Sequence, residues 1–427
     1  MSGLPLLLKK ARVLLIGAGA VAQQKHCALL ESGLAPDVKA AKICAPYFEG
    51  KDVAILRLGG ENIAIADDYD LVVDASGDSA LGEALFARKR NYLLNVVDCP
   101  QYCDVYFGAV ARYGELSVMV SSGGASPVLA QNVRDKIKRF LPKSLESLVQ
   151  RLREERAQNG APSGEHRGRI AEQAKQALGK VFIIGCGPHS RENLTLKALE
   201  TFALLDVALV DNLVGQEIWD ILHALGCETK SVAKQKGKQS FKQAEINKMM
   251  LDYAREGKTI GRIKGGDPAI FGRVWEEASY LSKHGIDVEV LSGITSSLCG
   301  ALSSGISPTI RGVSTGVLIV SAHLRECVFN IDWIDSLKQK HYTIIVLMAY
   351  SFVGRIVAAA REHGVDENLP AALVSKVDSP SQRCIIGTLG RLEEMVQQCE
   401  QPAILIFGEA VVKSKGIPFV GERIELE

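Results

Sequence analysis

Two short apolar runs that end in glycine turns fix most of what this chain can become. Ala11–Ile16 runs into Gly17-Ala-Gly19-Ala-Val-Ala22, and a helical pattern follows through Leu30. Much later, Lys180-Val-Phe-Ile-Ile runs into Gly185-Cys-Gly-Pro188. Strand, glycine turn and helix in that order open a βα unit, the repeating element of an α/β fold on a parallel sheet. Such an opening made twice predicts two α/β domains.

The first turn has the G-x-G-x-x-A form of a dinucleotide site. Gly17 makes the tight turn, Gly19 lets backbone approach a pyrophosphate, and Ala22 allows close helix–strand packing. The helix N-terminus supplies N–H donors to the anion. No Asp or Glu ends the second strand, which reads Lys39-Ala-Ala-Lys-Ile-Cys44, so NAD and NADP both remain open. The βα rhythm continues through Leu71–Asp74, a Ser76-Gly-Asp78 turn and a helix over Ala80–Lys89. Tyr92–Val97 then ends in Asp98, either a carboxylate at the ligand-collecting edge of the sheet or a turn residue before Pro100. Leu116–Val120 closes in Ser121-Ser-Gly-Gly-Ala-Ser-Pro127 before a helix over Val128–Phe140. That corner suits an anion, or serves as a plain cap with Ser126 capping and Pro127 at the first helical position.

At 427 residues the chain has room for two or three cores. Its formal net charge of +1 gives no argument for nucleic acid or membrane partners. No apolar run approaches the roughly 20 residues of a membrane helix. The N-terminus reads as a first strand and not as a signal peptide. Ten scattered cysteines predict buried free thiols in a reducing cytoplasm, and eight histidines without metal-ligand spacing predict no protein metal site. Charged helices over Leu145–Gln158 and Glu165–Leu178 flank a break at Asn159–Gly164, where a domain boundary is placed. Their arginines alternate with acids, as on a solvated face. The expected limits are 1–115, a helical region over 116–179, and 180–427.

In the second half, Arg262-Ile-Lys-Gly-Gly-Asp-Pro-Ala-Ile-Phe-Gly-Arg273 joins a short apolar lead to a helix over Val274–Lys283. Adjacent glycines let backbone pass close to a ligand, and Pro268 stops the strand. Asp267 stands beside free N–H groups, where a carboxylate holds a turn or meets a ligand donor. Strand Val207–Val210 delivers Asp211 in the same manner as Asp98.

Together these stretches resemble a known family. Gly265-Gly266-Asp267-Pro with Phe271-Gly-Arg273 is similar to the GGDPxxFGR signature of uroporphyrinogen-III methyltransferases, which use S-adenosylmethionine. In order, Gly185–Ser190 resembles GAGPGD, Leu209–Val214 resembles VYDRLV, and Ser231-Val-Ala-Lys234 resembles VGK. Leu291–Ser296 resembles PGITA/S, Gly305–Arg311 resembles GIPLTHR, and Met348-Ala349 resembles part of YMG. Pro370–Val374 and Pro402–Gly408 resemble PVALV and SPALIIVG, so the likeness spans 180–412. His189, Ser190, Asn212, Ser292 and Ile310 depart from it, and Val377 stands where a glycine is usual. In the first half, Gly17-x-Gly19-x-Val21-Ala22, Asn95-Val-Val-Asp98 and Ser121–Pro127 resemble the precorrin-2 dehydrogenase/ferrochelatase half of siroheme synthases. Cys103–Gly108 departs from that family's F-x-x-P-A-like segment.

The resemblance implies a Rossmann-type N-terminal domain, a short helical linker region and a two-lobed α/β tetrapyrrole methyltransferase domain. It implies that NAD meets Gly17, Gly19, Ala20, Val21, Lys42 and Ile43. S-adenosylmethionine would lie along Pro188, Gly265, Gly266, Asp267, Ile270, Thr295, Ser296, Met348 and Val377, although Met348 reads equally as a strand-end core residue. Asp211 would be the base near uroporphyrinogen III, Lys234 would face the tetrapyrrole, and Lys234 or Arg273 would pair with its carboxylates. Asp98 would serve oxidation of precorrin-2 and Fe²⁺ insertion into sirohydrochlorin. A cytoplasmic homodimer making siroheme is the implied protein. One rival leaves only one half catalytic, most readily the dehydrogenase/chelatase, with the altered methyltransferase half as a binding or dimerisation module. Another is an NAD-responsive regulator, which leaves Asp98, Asp211 and the GGDP stretch unexplained.

Overall fold

A computed structural model describes residues 8, 10–56, 58, 60–123, 125–161, 164–232, 241–324 and 328–426. The chain forms two compact units, Met1–Phe140 and Leu141–Glu427. The segment 116–179, expected as a region of its own, is divided between them.

In the first unit, β1 (Val13–Ile16), β2 (Pro36–Ala40), β3 (Val53–Ile55), β4 (Leu71–Asp74) and β5 (Leu93–Val96) form a parallel sheet in the order β3-β2-β1-β4-β5. Helices α1 (Ala20–Glu31) and α2 (Ser79–Arg88) follow β1 and β4. β1 and residues 71–73 of β4 are unbroken apolar runs because both faces of the sheet are covered. Val13, Leu15 and Val73 pack with Leu29 and Phe48, while Leu14, Ile16 and Val72 pack with Leu85 and Leu94. Strand order reverses between β1 and β4, the place where open α/β sheets take ligands. β6 (Ala109–Tyr113) and β7 (Leu116–Val120) form an antiparallel hairpin against α3 (Pro127–Phe140). The Ser126 hydroxyl accepts from the Leu129 N–H at 3.2 Å, so the Ser-Pro corner caps this helix.

The second unit opens with α4 (Ser144–Asn159) and α5 (Gly164–Leu178), tied where the Ser144 hydroxyl donates to the Ala177 carbonyl at 2.9 Å. A second parallel sheet follows from β8 (Lys180–Gly185), β9 (Val207–Val210), β10 (Glu228–Ser231), β11 (Thr259–Lys264) and β12 (Asp287–Leu291), in the order β10-β9-β11-β8-β12. α6 (Leu196–Phe202), α7 (Gln216–Ala224), α8 (Gln243–Arg255) and α9 (Val274–Lys283) lie between successive strands. Apolar side chains leave both faces of this sheet, towards Phe202 and Leu222 on one side and Met250 and Leu281 on the other.

After α10 (Ser296–Ser303) the chain builds a mixed sheet, the second lobe of this unit. Its strands are β13 (Gly316–Ser321), β14 (Tyr342–Leu347), β15 (Pro370–Ser375), β16 (Arg383–Thr388), β17 (Ala403–Phe407) and β18 (Glu422–Glu425), in the order β13-β14-β17-β15-β16-β18. α11 (Val353–Glu362), α12 (Leu392–Gln397) and α13 (Ala410–Lys413) accompany them. Among the described residues no helix is long and apolar enough to cross a membrane. Cys186, Cys227, Cys384 and Cys399 are buried free thiols, but Cys44 is exposed, so the expected burial holds for part of the set.

Candidate active sites

In the first unit the glycine turn is wedged against β4. Gly17 turns the chain at φ 113°, and a Cβ there would stand 2.6 Å from the Ala75 carbonyl oxygen. The Ala18 carbonyl accepts from the Cys44 and Ala45 N–H groups at 3.0 and 2.9 Å, which sets the exposed Lys42 and Ile43 beside the turn. Among the described residues a Cβ at Gly19 would meet nothing within 4 Å and no side chain caps α1, and Ala20 and Val21 are exposed. With no side-chain cap among the described residues, the first-turn N–H groups are left for another acceptor, and the residues present fit a pyrophosphate.

Asp98 follows β5 as an exposed residue in left-handed backbone, φ 61°. That conformation is uncommon outside glycine and recurs at functional loops. Sequence reasoning missed its neighbour Lys25, one turn into α1. Burial lowers the Lys25 pKa, opposed by attraction to Asp98 and Cys103. Its ammonium stands 4.6 Å from the centre of the Phe107 ring. The divergent Cys103–Gly108 wall is well anchored. The Cys103 thiol donates to the Val96 carbonyl at 3.2 Å, Asp104 accepts from the Leu94 N–H at 2.8 Å, and the Asn95 amide donates to the Val105 carbonyl at 2.8 Å. Asp74, at the end of β4, is 2% exposed; Oδ1 accepts from the Ser76 N–H at 3.0 Å, and Oδ2 has no partner among the described residues. Burial pushes its carboxyl pKa up.

In the second unit the loops after β8, β11 and β12 close on one another at the C-terminal edge of the parallel sheet. A Cβ on Gly185 would lie 2.6 Å from both the Gly293 nitrogen and Pro268 Cδ. Gly187 and Gly266 exchange backbone hydrogen bonds of 3.1 and 2.9 Å. Asp267 accepts from the Ala269 N–H at 2.7 Å through Oδ1 and from the Gly293 N–H at 3.1 Å through Oδ2. This carboxylate thus ties two loops together. The Ile270 N–H donates to the Asp267 carbonyl at 3.1 Å, and Thr295 caps α10 ahead of Ser296. Asn193 joins the β8 loop to the β15 loop, donating to the Pro188 carbonyl at 2.8 Å and to Asp378 Oδ2 at 2.5 Å.

Left-handed residues other than glycine occur in the loops after β8, β11, β14 and β15: His189, Phe271, Arg273, Met348, Lys376 and Asp378. Each costs of order 1–3 kcal/mol and persists where its surroundings over-determine it. Met348 is 41% exposed while Ala349 behind it is buried, which removes the strand-end core reading of its side chain. Val377 does the reverse, packing its side chain with Ala301, Val374 and Ile404. Lys234 lies outside the described residues.

Asp211 emerges from β9 onto a group of charges that sequence reasoning overlooked. Arg262 and Lys264, on the wholly buried β11, and Glu277, on α9, are 2%, 5% and 0% exposed. Arg262 donates through Nε to Glu277 Oε1 at 3.0 Å and through Nη2 to Asp211 Oδ1 at 2.7 Å. Lys264 donates to both Glu277 oxygens at 3.1 and 3.2 Å and lies 4.0 Å from Asp211 Oδ2. The Gln243 amide adds a 3.0 Å bond to Glu277. Burial lowers the Lys264 pKa, as does the neighbouring Arg262, against the pull of Glu277 and Asp211. Two cations and two carboxylates make the group formally neutral, and Asp211 is its part-exposed member. Arg273 is paired instead with Glu276 at 2.7 Å. Charged residues within a strand otherwise apolar were the available signal for Arg262 and Lys264.

Comparison with known proteins agrees with this division. Residues 180–393 match the family of tetrapyrrole (corrin/porphyrin) methylases, residues 4–109 a putative NAD(P)-binding family, and residues 114–139 the sirohaem biosynthesis protein central region. A siroheme synthase of Sodalis glossinidius is 32% identical over 460 aligned positions, covering 99% of this chain and 97% of the relative. One of Pseudomonas putida strain W619 is 33% identical over 455 positions, covering 96% and 97%. A solved uroporphyrin-III C-methyl transferase of Thermus thermophilus, complexed with S-adenyl homocysteine, is 32% identical and covers 55% of this chain and 93% of its own, with a TM-score of 0.47. Identity above 30% across nearly the whole chain leaves one conclusion: the chain belongs to the siroheme synthase family.

Proposed function

We propose that the chain carries out the three reactions of siroheme formation, methyl transfer in the second unit and oxidation with Fe²⁺ insertion in the first. The observation that supports this most is that each unit sets a strand-end carboxylate, Asp211 or Asp98, at the same C-terminal sheet edge as its own glycine-rich turn. Bound S-adenosylmethionine supplies a methyl group, and bound NAD accepts a hydride.

In the second unit, each methylation of uroporphyrinogen III forms a C–CH₃ bond at a pyrrole carbon and releases a proton, which Asp211 is placed to accept. Pro188, Gly265, Gly266, Thr295 and Ser296 offer backbone to the donor, Ile270 and Met348 wall it, and Asp267 holds two of the loops. Val377 offers backbone, its side chain being committed to the core. Lys234 or Arg273 serves the substrate carboxylates. Fixing donor and acceptor in line supplies most of the acceleration.

In the first unit, Gly17, Gly19, Ala20, Val21, Lys42 and Ile43 hold the dinucleotide. Precorrin-2 loses a hydride and a proton to become sirohydrochlorin, and Fe²⁺ then displaces two pyrrole N–H protons. Asp98 takes protons in both steps, with the Lys25 ammonium beside it to draw in acidic side arms of the substrate. Cytoplasmic location and a homodimer are part of the same proposal.

Anaerobic spectroscopy tests it. The purified chain receives uroporphyrinogen III and S-adenosylmethionine, then NAD⁺, then Fe²⁺. Successive precorrin-2, sirohydrochlorin and siroheme spectra are expected. Oxidation of supplied precorrin-2 with no methylation of uroporphyrinogen III would reduce the second unit to a binding module.

A further inference from the structure

Asp211 is the carboxylate on which the methyl-transfer proposal rests, and its orientation is set from inside the sheet. One oxygen, Oδ1, is engaged at 2.7 Å by Arg262, and the other stands 4.0 Å from Lys264. Arg262 does not float. Its Nε is fixed on the fully buried Glu277 at 3.0 Å, and its Nη1 donates to the Leu209 and Ile263 carbonyls, both at 3.3 Å. Glu277 is in turn held by Lys264 and Gln243. A guanidinium presents its donors in a rigid fork, so a guanidinium pinned on three sides aims its remaining arm in one direction.

We propose that Arg262, clamped by Glu277, is a positioning residue that fixes Asp211 through Oδ1 and leaves Oδ2 as the oxygen presented for proton transfer. This rests on Asp211 acting as the base. The reason for such an arrangement is physical. Asp211 follows a strand end in a loop, where a carboxylate otherwise rotates freely about χ2, and a base must sit within hydrogen-bond reach of its proton. Burying three charges, Arg262, Lys264 and Glu277, in place of apolar groups is seldom favourable for stability alone. A geometric task for the visible end of the group accounts for their presence.

The test uses the full chain and three variants, Arg262→Lys, Arg262→Met and Lys180→Met. Lysine keeps the charge but, as a single point, does not span Glu277 and Asp211 together. Lys180 is also buried and ion-paired, to Glu289 at 3.0 Å, but lies at the opposite end of the same sheet, at the start of β8. Each protein is assayed for kcat, for KM of S-adenosylmethionine and of uroporphyrinogen III, and for the melting temperature of the second unit. Arg262→Lys is expected to lower kcat about tenfold to a hundredfold, the scale of a small misplacement of a catalytic group, with both KM values within about threefold of the parent. Arg262→Met is expected to lower it at least as far. Lys180→Met should lower the melting temperature with kcat unchanged.

A wild-type kcat in Arg262→Lys overturns the positioning role. So does a loss of kcat that Lys180→Met matches at equal destabilisation. A parent chain that binds S-adenosylmethionine without methylating uroporphyrinogen III overturns the function proposed for the second unit, and the role of Arg262 falls with it.

Discussion

Two buried carboxyl groups, one in each unit, solve the same problem differently. Glu277, on α9, is fully buried and surrounded by Arg262, Lys264 and Gln243, one member of a paired group. Asp74 is almost as buried, yet its Oδ2 has no partner among the described residues and burial pushes its pKa up. Charge pairing meets the desolvation cost in one case, whereas in the other burial shifts the balance towards the neutral carboxyl. The difference extends to the sites. The second unit aims its strand-end carboxylate from a buried ionic scaffold, whereas the first leaves Asp98 exposed on a left-handed turn beside a half-buried lysine.

The largest effect expected from this contrast is on Glu277. Glu277→Ala leaves Lys264 without its carboxylate and Arg262 with only Asp211, and the second unit should lose about 3–5 kcal/mol in denaturant unfolding. A loss below about 1 kcal/mol would mean that the group is not held as a unit.

Gly17 comes next. Gly17→Ala forces a Cβ against the Ala75 carbonyl at φ 113°, and should cost the first unit about 1–3 kcal/mol together with NAD binding by calorimetry. Unchanged binding would separate the turn from the dinucleotide site.

Asp74→Asn probes the opposite member of the comparison and has a definite sign. The fold favours the protonated carboxyl, so the native state keeps a proton that the unfolded chain releases above its ordinary value of 3.8. The stability contributed by this group is present below that pH and lost as pH rises through the raised folded value. The variant should therefore melt higher than the parent at pH 7, with the gap closing as the pH falls towards 3. A gap that widens on acidification would show Asp74 to be ionised and paired. The smallest effect is expected from Ser126→Ala, which removes the cap of α3 for about 1 kcal/mol in the first unit.

Much of the fold was legible because the signal was local. α9 spans Val274–Lys283 and β9 spans Val207–Val210 as the apolar pattern and the flanking turns predict, and the Ser126-Pro127 corner caps its helix as its residues imply. The turns at Gly185 and Gly266 were legible, but the convergence of Gly185, Gly266 and Gly293 was not, since which loops touch depends on strand order. Arg262, Lys264 and Glu277 escaped notice because a charged residue in a strand reads as exposed until the sheet is seen to be covered on both faces. Lys25 escaped for a similar reason: on the pattern of α1 it is a solvent residue, and the ring of Phe107, distant in sequence, returns to lie against it. Val377 was placed at a cofactor position by alignment of motifs, yet its side chain belongs to the core, a fact set by Ala301 and Ile404 far off in sequence.

The central claim is that the two strand-end carboxylates serve two separate sites, and one pair of variants tests it most directly. Asp211→Asn and Asp98→Asn are each given uroporphyrinogen III with S-adenosylmethionine and NAD⁺, and separately precorrin-2 with NAD⁺, all without oxygen. Asp211→Asn should fail to methylate uroporphyrinogen III but oxidise supplied precorrin-2 at the parental rate. Asp98→Asn should do the reverse, with precorrin-2 accumulating. If either substitution abolishes both reactions in a folded protein, or neither changes its own, the two carboxylates do not serve separate sites and the account is wrong.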